Sequence, residues 1–221
     1  MPIIKLNNSI IRLNNSIIFN KDKDPNIVVI GGKSYPIVTI GTQTWTAVNL
    51  DFTWSGLPVD TGSWGNKDTP VANYYQFDKA TYGWDGLRYG LLYNGAAAMY
   101  LENHKAELIP GWHIPTMEEF NTLVNYLGGT SVAGKVLKST TGWSDNKNGT
   151  NDTGFNGFPA GIRYISLGFG NLGSKANFLG YENAYVAGRY ASLQLQTNNA
   201  VIISDSADAQ LFMSIRLIKD I

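Results

Sequence analysis

The pattern of apolar and polar positions divides the chain in two. Its opening says one phrase twice, "KLNNSII" at 5–11 and "RLNNSII" at 12–18, so that apolar pairs are split by Asn-Asn-Ser. Read as strands, each Asn-Asn is a turn between short β-branched pieces, because Asn tolerates positive φ and Ile favours extended backbone. Read as helix, Leu6, Ile10, Leu13 and Ile17 follow the 4-3-4 spacing of a coiled-coil seam. Two heptads are fewer than such a seam needs, and Asn and Ser compete for helical hydrogen bonds, so the balance favours β. Either way, the apolar stripe of Leu6, Ile10, Ile11, Leu13, Ile17 and Ile18 is too narrow for a core and asks for another copy or another protein. The competing reading is an ordinary hairpin packed on its own domain.

After the repeat the pattern changes. "NKDKDPN" at 20–26 is polar, charged and Pro-containing, which reads as a linker. The expected organisation is an attachment arm at 1–20, a linker at 21–27 and a head at 28–221. Residues 27–50 hold three strand-like runs punctuated by Gly31-Gly32 and Gly41-Thr42, a β-meander. From 52 to 90 Trp, Tyr and Gly recur with little periodicity, which predicts irregular loop held by aromatic packing. The Ala-rich stretch at 96–102 predicts a short helix. Thr116 with Glu119 three residues on is a capping box, and Phe120, Leu123, Val124 and Leu127 then mark one buried helical face. Gly128-Gly129 ends that helix with a left-handed cap. Residues 131–139 suggest another short helix. Beyond 140, Gly-rich and aromatic strands alternate with turns, closing on 211–221 as an alternating final strand.

Composition narrows the function classes. Basic and acidic residues balance at 17 each, which argues against a nucleic-acid binder. No run approaches 18 apolar residues, so no membrane insertion is expected. The apolar pairs of the N-terminus are too broken for a signal peptide, and the expectation is a protein that stays where it is made. Cysteine is absent, which excludes a disulfide framework, a thiolate metal site and a Cys nucleophile. The two histidines, His104 and His113, are too few for a His-rich metal centre. No cofactor is expected.

Six segments occur in an order that carries a resemblance: "TIGTQTWTAVNL" (39–50), "YGLLYNGAAAM" (89–99), "PGWHIPTMEEFNTLVNYLGG" (110–129), "AGKVLKSTTGW" (133–143), "TGFNGFPAGIRY" (153–164) and "SIRLIKD" (214–220). Together they resemble the Fibrobacter succinogenes major paralogous domain, a module of bacterial cell-surface proteins, over about residues 28–220. The resemblance implies an α+β, C-type-lectin-like domain of small antiparallel sheets, two short helices and long loops, here preceded by the β-rich arm. It also implies a Cys before the Pro-Gly-Trp-His segment and another in the final strand. Ile109 and Leu217 stand there instead, so both members of the implied bridge are replaced by apolar residues. A disulfide serves only in an oxidising compartment, and its joint loss fits assembly in cytosol. The opening repeat is also similar to the starts of phage and prophage structural proteins of gut bacteria.

Candidate chemistry is sparse. The implied fold includes the formylglycine-generating enzymes, but these work through copper-binding cysteines that this chain lacks. His113 lies in no motif that supplies a carboxylate or nucleophile, and a packed structural role is the preferred reading. The loop at 144–154 offers Asp145, Asn148 and Asp152 as a weak calcium candidate, yet Lys147 interrupts the ligand pattern and Asn, Asp and Gly also make ordinary turns. Asn177, Tyr181, Glu182, Asn183, Tyr185, Arg189 and Tyr190 form a mixed aromatic and polar set suited to glycan or protein contact. Tyr alternating with small residues is equally a strand pattern with buried rings.

These readings converge on a non-enzymatic virion protein of a phage, a fibre or surface appendage assembled in the host cytoplasm. Residues 1–20 would join other virion proteins or further copies, with a trimer favoured, while the head meets a host glycan or protein. The alternative is a secreted bacterial cell-surface adhesin of the same family. An enzyme on the same scaffold would need a metal, or His113 beside a carboxylate in a cleft.

Overall fold

The computed structural model describes residues 10–13, 16–19, 26–59, 68–83, 89–181, 189–208 and 210–221. The opening repeat supplies β1 (Ile10–Leu13) and β2 (Ser16–Phe19), an antiparallel pair forming a sheet of its own. Ile10 lies opposite Phe19, Ile11 opposite Ile18, Arg12 opposite Ile17 and Leu13 opposite Ser16. Since neighbours along a strand alternate between faces, positions 10, 12, 17 and 19 share one face and 11, 13, 16 and 18 the other. Apolar residue types therefore occur on both faces. Leu6 and the Asn14-Asn15 turn lie outside the described residues.

The head opens with a meander, β3 (Ile27–Ile30), β4 (Lys33–Ile40) and β5 (Gln43–Thr46). Next come β6 (Ala72–Asn73), the single turn α1 (Lys79–Tyr82) and β7 (Leu92–Tyr93), which pairs with β6. Helix α2 (Gly95–Asn103) starts at Asn94, whose side chain accepts from the Ala97 N–H. The single turn α3 (Lys105–Leu108) and β8 (Trp112–His113) lead into α4 (Met117–Tyr126). Then follow α5 (Ala133–Leu137), β9 (Ile162–Tyr164), β10 (Gly168–Gly170), β11 (Lys175–Leu179), β12 (Arg189–Gln196), β13 (Val201–Asp208), β14 (Leu211–Phe212) and β15 (Ile218–Lys219).

The architecture is mixed α and β, dominated by small antiparallel sheets. One sheet has the order β3-β4-β5-β15-β8, so the last strand returns to sit between the meander and β8. Two three-stranded sheets, β11-β12-β13 and β10-β9-β14, complete the frame. One core cluster packs Tyr35, Leu50, Tyr93, Leu101, Ile109, Ile114 and Leu217, among others. A second gathers Trp45, Phe120, Leu123, Leu137, Phe155 and Phe178. Trp45 stacks on Phe120 at 6.0 Å and meets Phe155 edge-on at 5.9 Å.

Two expectations are corrected. The helical content is not two short helices but five α-helical pieces among the described residues: α5 and the single turns α1 and α3, which have no apolar period to announce them, add to α2 and α4. The closing segment is not one alternating strand. Residues 212–218 are all buried, Ser214 and Arg216 included, so the run passes between two sheets as β14 and β15 and presents both sides to the interior.

Candidate functional site

Four separate stretches of the chain line a cleft of about 680 Å³. The end of α2 and start of α3 bring Glu102, Asn103 and Lys105; β8 brings His113; the start of α4 brings Thr116 and Glu119; Tyr181 follows β11 and Asp220 follows β15.

Local structure aims these groups. The capping box of α4 is complete: the Thr116 hydroxyl accepts from the Glu119 N–H at 3.2 Å, and Glu119 Oε2 accepts from the Thr116 N–H at 2.8 Å. That leaves Glu119 Oε1 facing His113 Nε2 at 2.8 Å. Pairing of β15 with β8 continues past the strand, where the Asp220 N–H donates to the Gly111 carbonyl. Asp220 Oδ1 thereby reaches His113 Nδ1 at 2.6 Å. Glu102, almost buried, accepts from Lys105 Nζ at 2.6 Å and from the Ile114 N–H at 2.9 Å. Tyr181 enters through Gly180, where a Cβ would lie 2.7 Å from the Pro115 carbonyl and 2.8 Å from Phe120. Only glycine lets the chain thread that gap.

Electrostatics lock the centre. Burial works against a charged imidazole at His113, but the hydrogen bonds and charges of Glu119 and Asp220 outweigh it and raise its affinity for the proton above the ordinary 6.5. Burial likewise opposes the Glu119 carboxylate, while His113 and the Thr116 amide together hold it below the ordinary 4.5. When protonated, the imidazole donates one N–H to each carboxylate and has no lone pair for a substrate proton or a metal. What remains for a ligand is Asp220, the Tyr181 ring, Lys105 and the exposed Asn103 amide.

The sequence supplied no carboxylate beside His113, and the structure corrects this with two. Glu119 was visible as a capping residue, but nothing in the capping pattern says that its second oxygen reaches back to β8. Asp220 is 107 residues from His113 and meets it only through strand pairing.

The predicted ligand-contact set divides. Tyr181 lies in the cleft and is half-buried. Asn177 is interior: its amide donates to the Gly161 carbonyl and its oxygen accepts from Gln194. Tyr190 is a core ring lying over Gly95. These two are packing residues, because β11 and β12 turn these positions inward. Glu182, Asn183, Tyr185 and the Arg189 side chain lie outside the described residues, as do the side chains of the arm residues Ile10, Ile11, Leu13, Ile17 and Ile18.

In the calcium-like loop, Asn148 Oδ1 accepts from the Trp143 N–H at 3.1 Å and Asp152 Oδ2 accepts from the Thr150 hydroxyl at 2.7 Å. Asp145 takes the left-handed backbone conformation, φ 54°, within the tight turn at 144–146. Among the described residues no group of three or more His, Asp or Glu is arranged to hold a metal, and no helix is long and apolar enough to cross a membrane.

The class these features define is a mixed α and β domain of small antiparallel sheets whose polar cleft is closed by a carboxylate–imidazole–carboxylate clamp. The chain belongs to the Fibrobacter succinogenes major domain family, whose model matches residues 38–219. The matched span holds His113, Glu119 and Arg216, ends one residue before Asp220 and excludes the opening hairpin. No curated protein and no solved structure matches the chain.

Proposed function

We propose that this chain is a non-enzymatic structural protein of a phage virion, a fibre or surface appendage that is anchored by residues 1–20 and presents a C-type-lectin-like head. One observation carries the reading: the β1–β2 hairpin is a separate two-stranded sheet with apolar residue types on both faces. Such a ribbon is marginal alone in water. Lying on its own head would cover one face and leave the other wet, whereas further copies or another virion protein cover both. A trimer, the usual symmetry of fibres, is the assembly we favour.

Further support comes from the head. Small sheets, short helices and long loops are what a lectin-like scaffold requires. Ile109 and Leu217, standing where the family resemblance implies a disulfide, are both fully buried in one apolar cluster. The fold is thus stabilised by packing that works equally well in a reducing compartment. His113 does stand beside carboxylates in a cleft, the condition an enzyme on this scaffold would need, but Glu119 and Asp220 occupy both of its ring nitrogens, which favours binding over catalysis. Tyr181, Asp220 and Lys105 in the cleft suit a polar host ligand such as a glycan or peptide, and several heads on one particle raise apparent affinity by roughly 10²–10⁴.

Family membership favours a second reading, a secreted bacterial surface adhesin. Mass spectrometry of density-purified particles, compared with the secreted and envelope fractions of the same culture, separates the two. The virion reading expects the chain in the particles, with the arm shielded from protease. Recovery in the envelope fraction alone selects the adhesin.

A further inference from the structure

Three carbonyls from two backbone segments converge on one buried ammonium. Lys138, the residue that ends α5, is fully buried. Its Nζ lies 2.5 Å from the carbonyl oxygen of Lys147 and 3.3 Å from each of those of Gln196 and Thr197. The face of Trp143 completes the enclosure, with Nζ 4.5 Å from the ring centroid. Among the described residues no carboxylate pairs with it.

The stoichiometry fits. An ammonium has three N–H donors and no acceptor, and three carbonyls receive them. The surroundings are nonetheless costly for charge: burial first, then the nearby Lys147 ammonium, push the Lys138 group down to about 8. If the position only needed filling, an apolar side chain of the same length would do so without that penalty. The geometry around it is also committed. Gly149 packs so closely that a Cβ there would stand 2.4 Å from the Lys138 carbonyl. The Gly149 N–H donates to the Ser139 carbonyl, and the Trp143 indole N–H to Ser139 Oγ and the Gly157 carbonyl. On the other side, the turn after β12 is closed by the Asn199 N–H on the Gln196 carbonyl.

We infer that the carbonyls of Lys147, Gln196 and Thr197, roofed by Trp143, are a cation site built into the fold, which the chain fills with its own Lys138 ammonium. The loop at 144–149 and the turn at 196–199 are thus held together by a cation that is covalently part of the protein. The ligands this site takes once the side chain is removed are small cations that donate hydrogen bonds, ammonium and primary alkylammonium ions. This explains why the calcium-like loop uses its own polar side chains on turn closure: the charge that gathers the loop carbonyls comes from Lys138. The inference concerns how the head is held together and does not depend on the virion reading.

The test is amide hydrogen exchange on the full chain. In Lys138→Met the amides of Lys147, Gly149 and Asn199 should exchange at least roughly tenfold faster, since the Lys147 and Thr197 carbonyls lose their donor and the Gln196 carbonyl one of its two, while those of α4 keep their protection. In Lys138→Ala, methylammonium should restore slow exchange and tetramethylammonium, which has no N–H, should not. Unchanged exchange in Lys138→Met, or equal rescue by both ions, overturns the inference. If neither variant folds, nitrogen-15 spectra of the wild-type chain decide: one lysine ammonium should show slowly exchanging protons, and solvent-like exchange at every lysine contradicts the site.

Discussion

The opening hairpin and the first sheet of the head are made from similar material and have different fates. Both use short β-branched strands joined by turn-forming Asn or Gly. In the head, β3, β4 and β5 gain a fourth neighbour when β15 returns from the far end of the chain and pairs with β5 and β8. Their inward residues Ile30, Tyr35, Ile40 and Trp45 are then buried. Among the described residues the strands at 10–13 and 16–19 receive no such return and form a sheet of two. What the difference teaches is that local strand chemistry does not decide self-sufficiency. The first sheet of the head is closed by a distant segment of the same chain, and our proposal is that the arm finds its closing segment on another molecule.

The closure of the head can be broken most severely at Arg216. This guanidinium is fully buried and donates to Asn49 Oδ1 at 2.7 Å, to the Thr46 and Phe155 carbonyls at 2.9 and 2.5 Å, and to the Asn156 carbonyl at 2.8 Å. It also stacks over Phe155 and Phe178. Arg216→Met strands three buried acceptors and one half-buried one and should destabilise the head by about 3 kcal/mol or more in denaturant unfolding. A loss under about 1 kcal/mol would mean that the return strand is held by packing alone.

A smaller, pH-dependent effect comes from the clamp beside that strand. Folding raises the proton affinity of His113, so its contribution is complete below 6.5 and drains away as pH rises through the higher folded value. Folding lowers that of Glu119, so its contribution is complete above 4.5 and is lost as pH falls through the lower folded value. Stability should therefore carry a clamp contribution that is fullest between 4.5 and 6.5. His113→Gln should flatten the alkaline flank and cost about 1–2 kcal/mol within that window. An unaltered pH profile in the variant contradicts the clamp.

Thr116→Ala removes the hydroxyl that accepts from the Glu119 N–H and should cost about 1 kcal/mol. Asp220→Asn lies at the exposed end of the clamp, its side chain 46% accessible, and should change stability by no more than about 1 kcal/mol. Thermal melts of the two variants check this order, and an Asp220→Asn loss larger than that of Thr116→Ala reverses it.

Much of the helical frame was legible in the residues. The Thr116–Glu119 capping box and the apolar period of α4 are local patterns, and both are realised. Gly128 and Gly129 take the positive φ values, 92° and 93°, that their position after the helix demands. The strands of the repeat follow from Ile favouring extended backbone and from Asn and Ser being poor helix formers. The buried cations were not legible. In "SIRLIKD" Arg216 occupies a polar slot of an alternating run, which reads as a solvent face until two sheets enclose it. Lys138 stands in an ordinary helix-ending sequence and is revealed only when the loop at 147 and the turn at 196–197 fold over it. The cleft was half legible: Tyr181 belongs to a stretch singled out by composition, whereas the His113–Asp220 contact is created by strand pairing across 107 residues.

The central claim is that the arm is completed by another chain and the head is not. Sedimentation velocity of the full chain beside a version beginning at residue 26 tests it most directly. The account predicts that the full chain sediments as an oligomer across the concentration range and that the shortened chain sediments as a folded monomer with an unchanged melting temperature. A monomeric full chain, or a shortened chain that loses its fold, contradicts it.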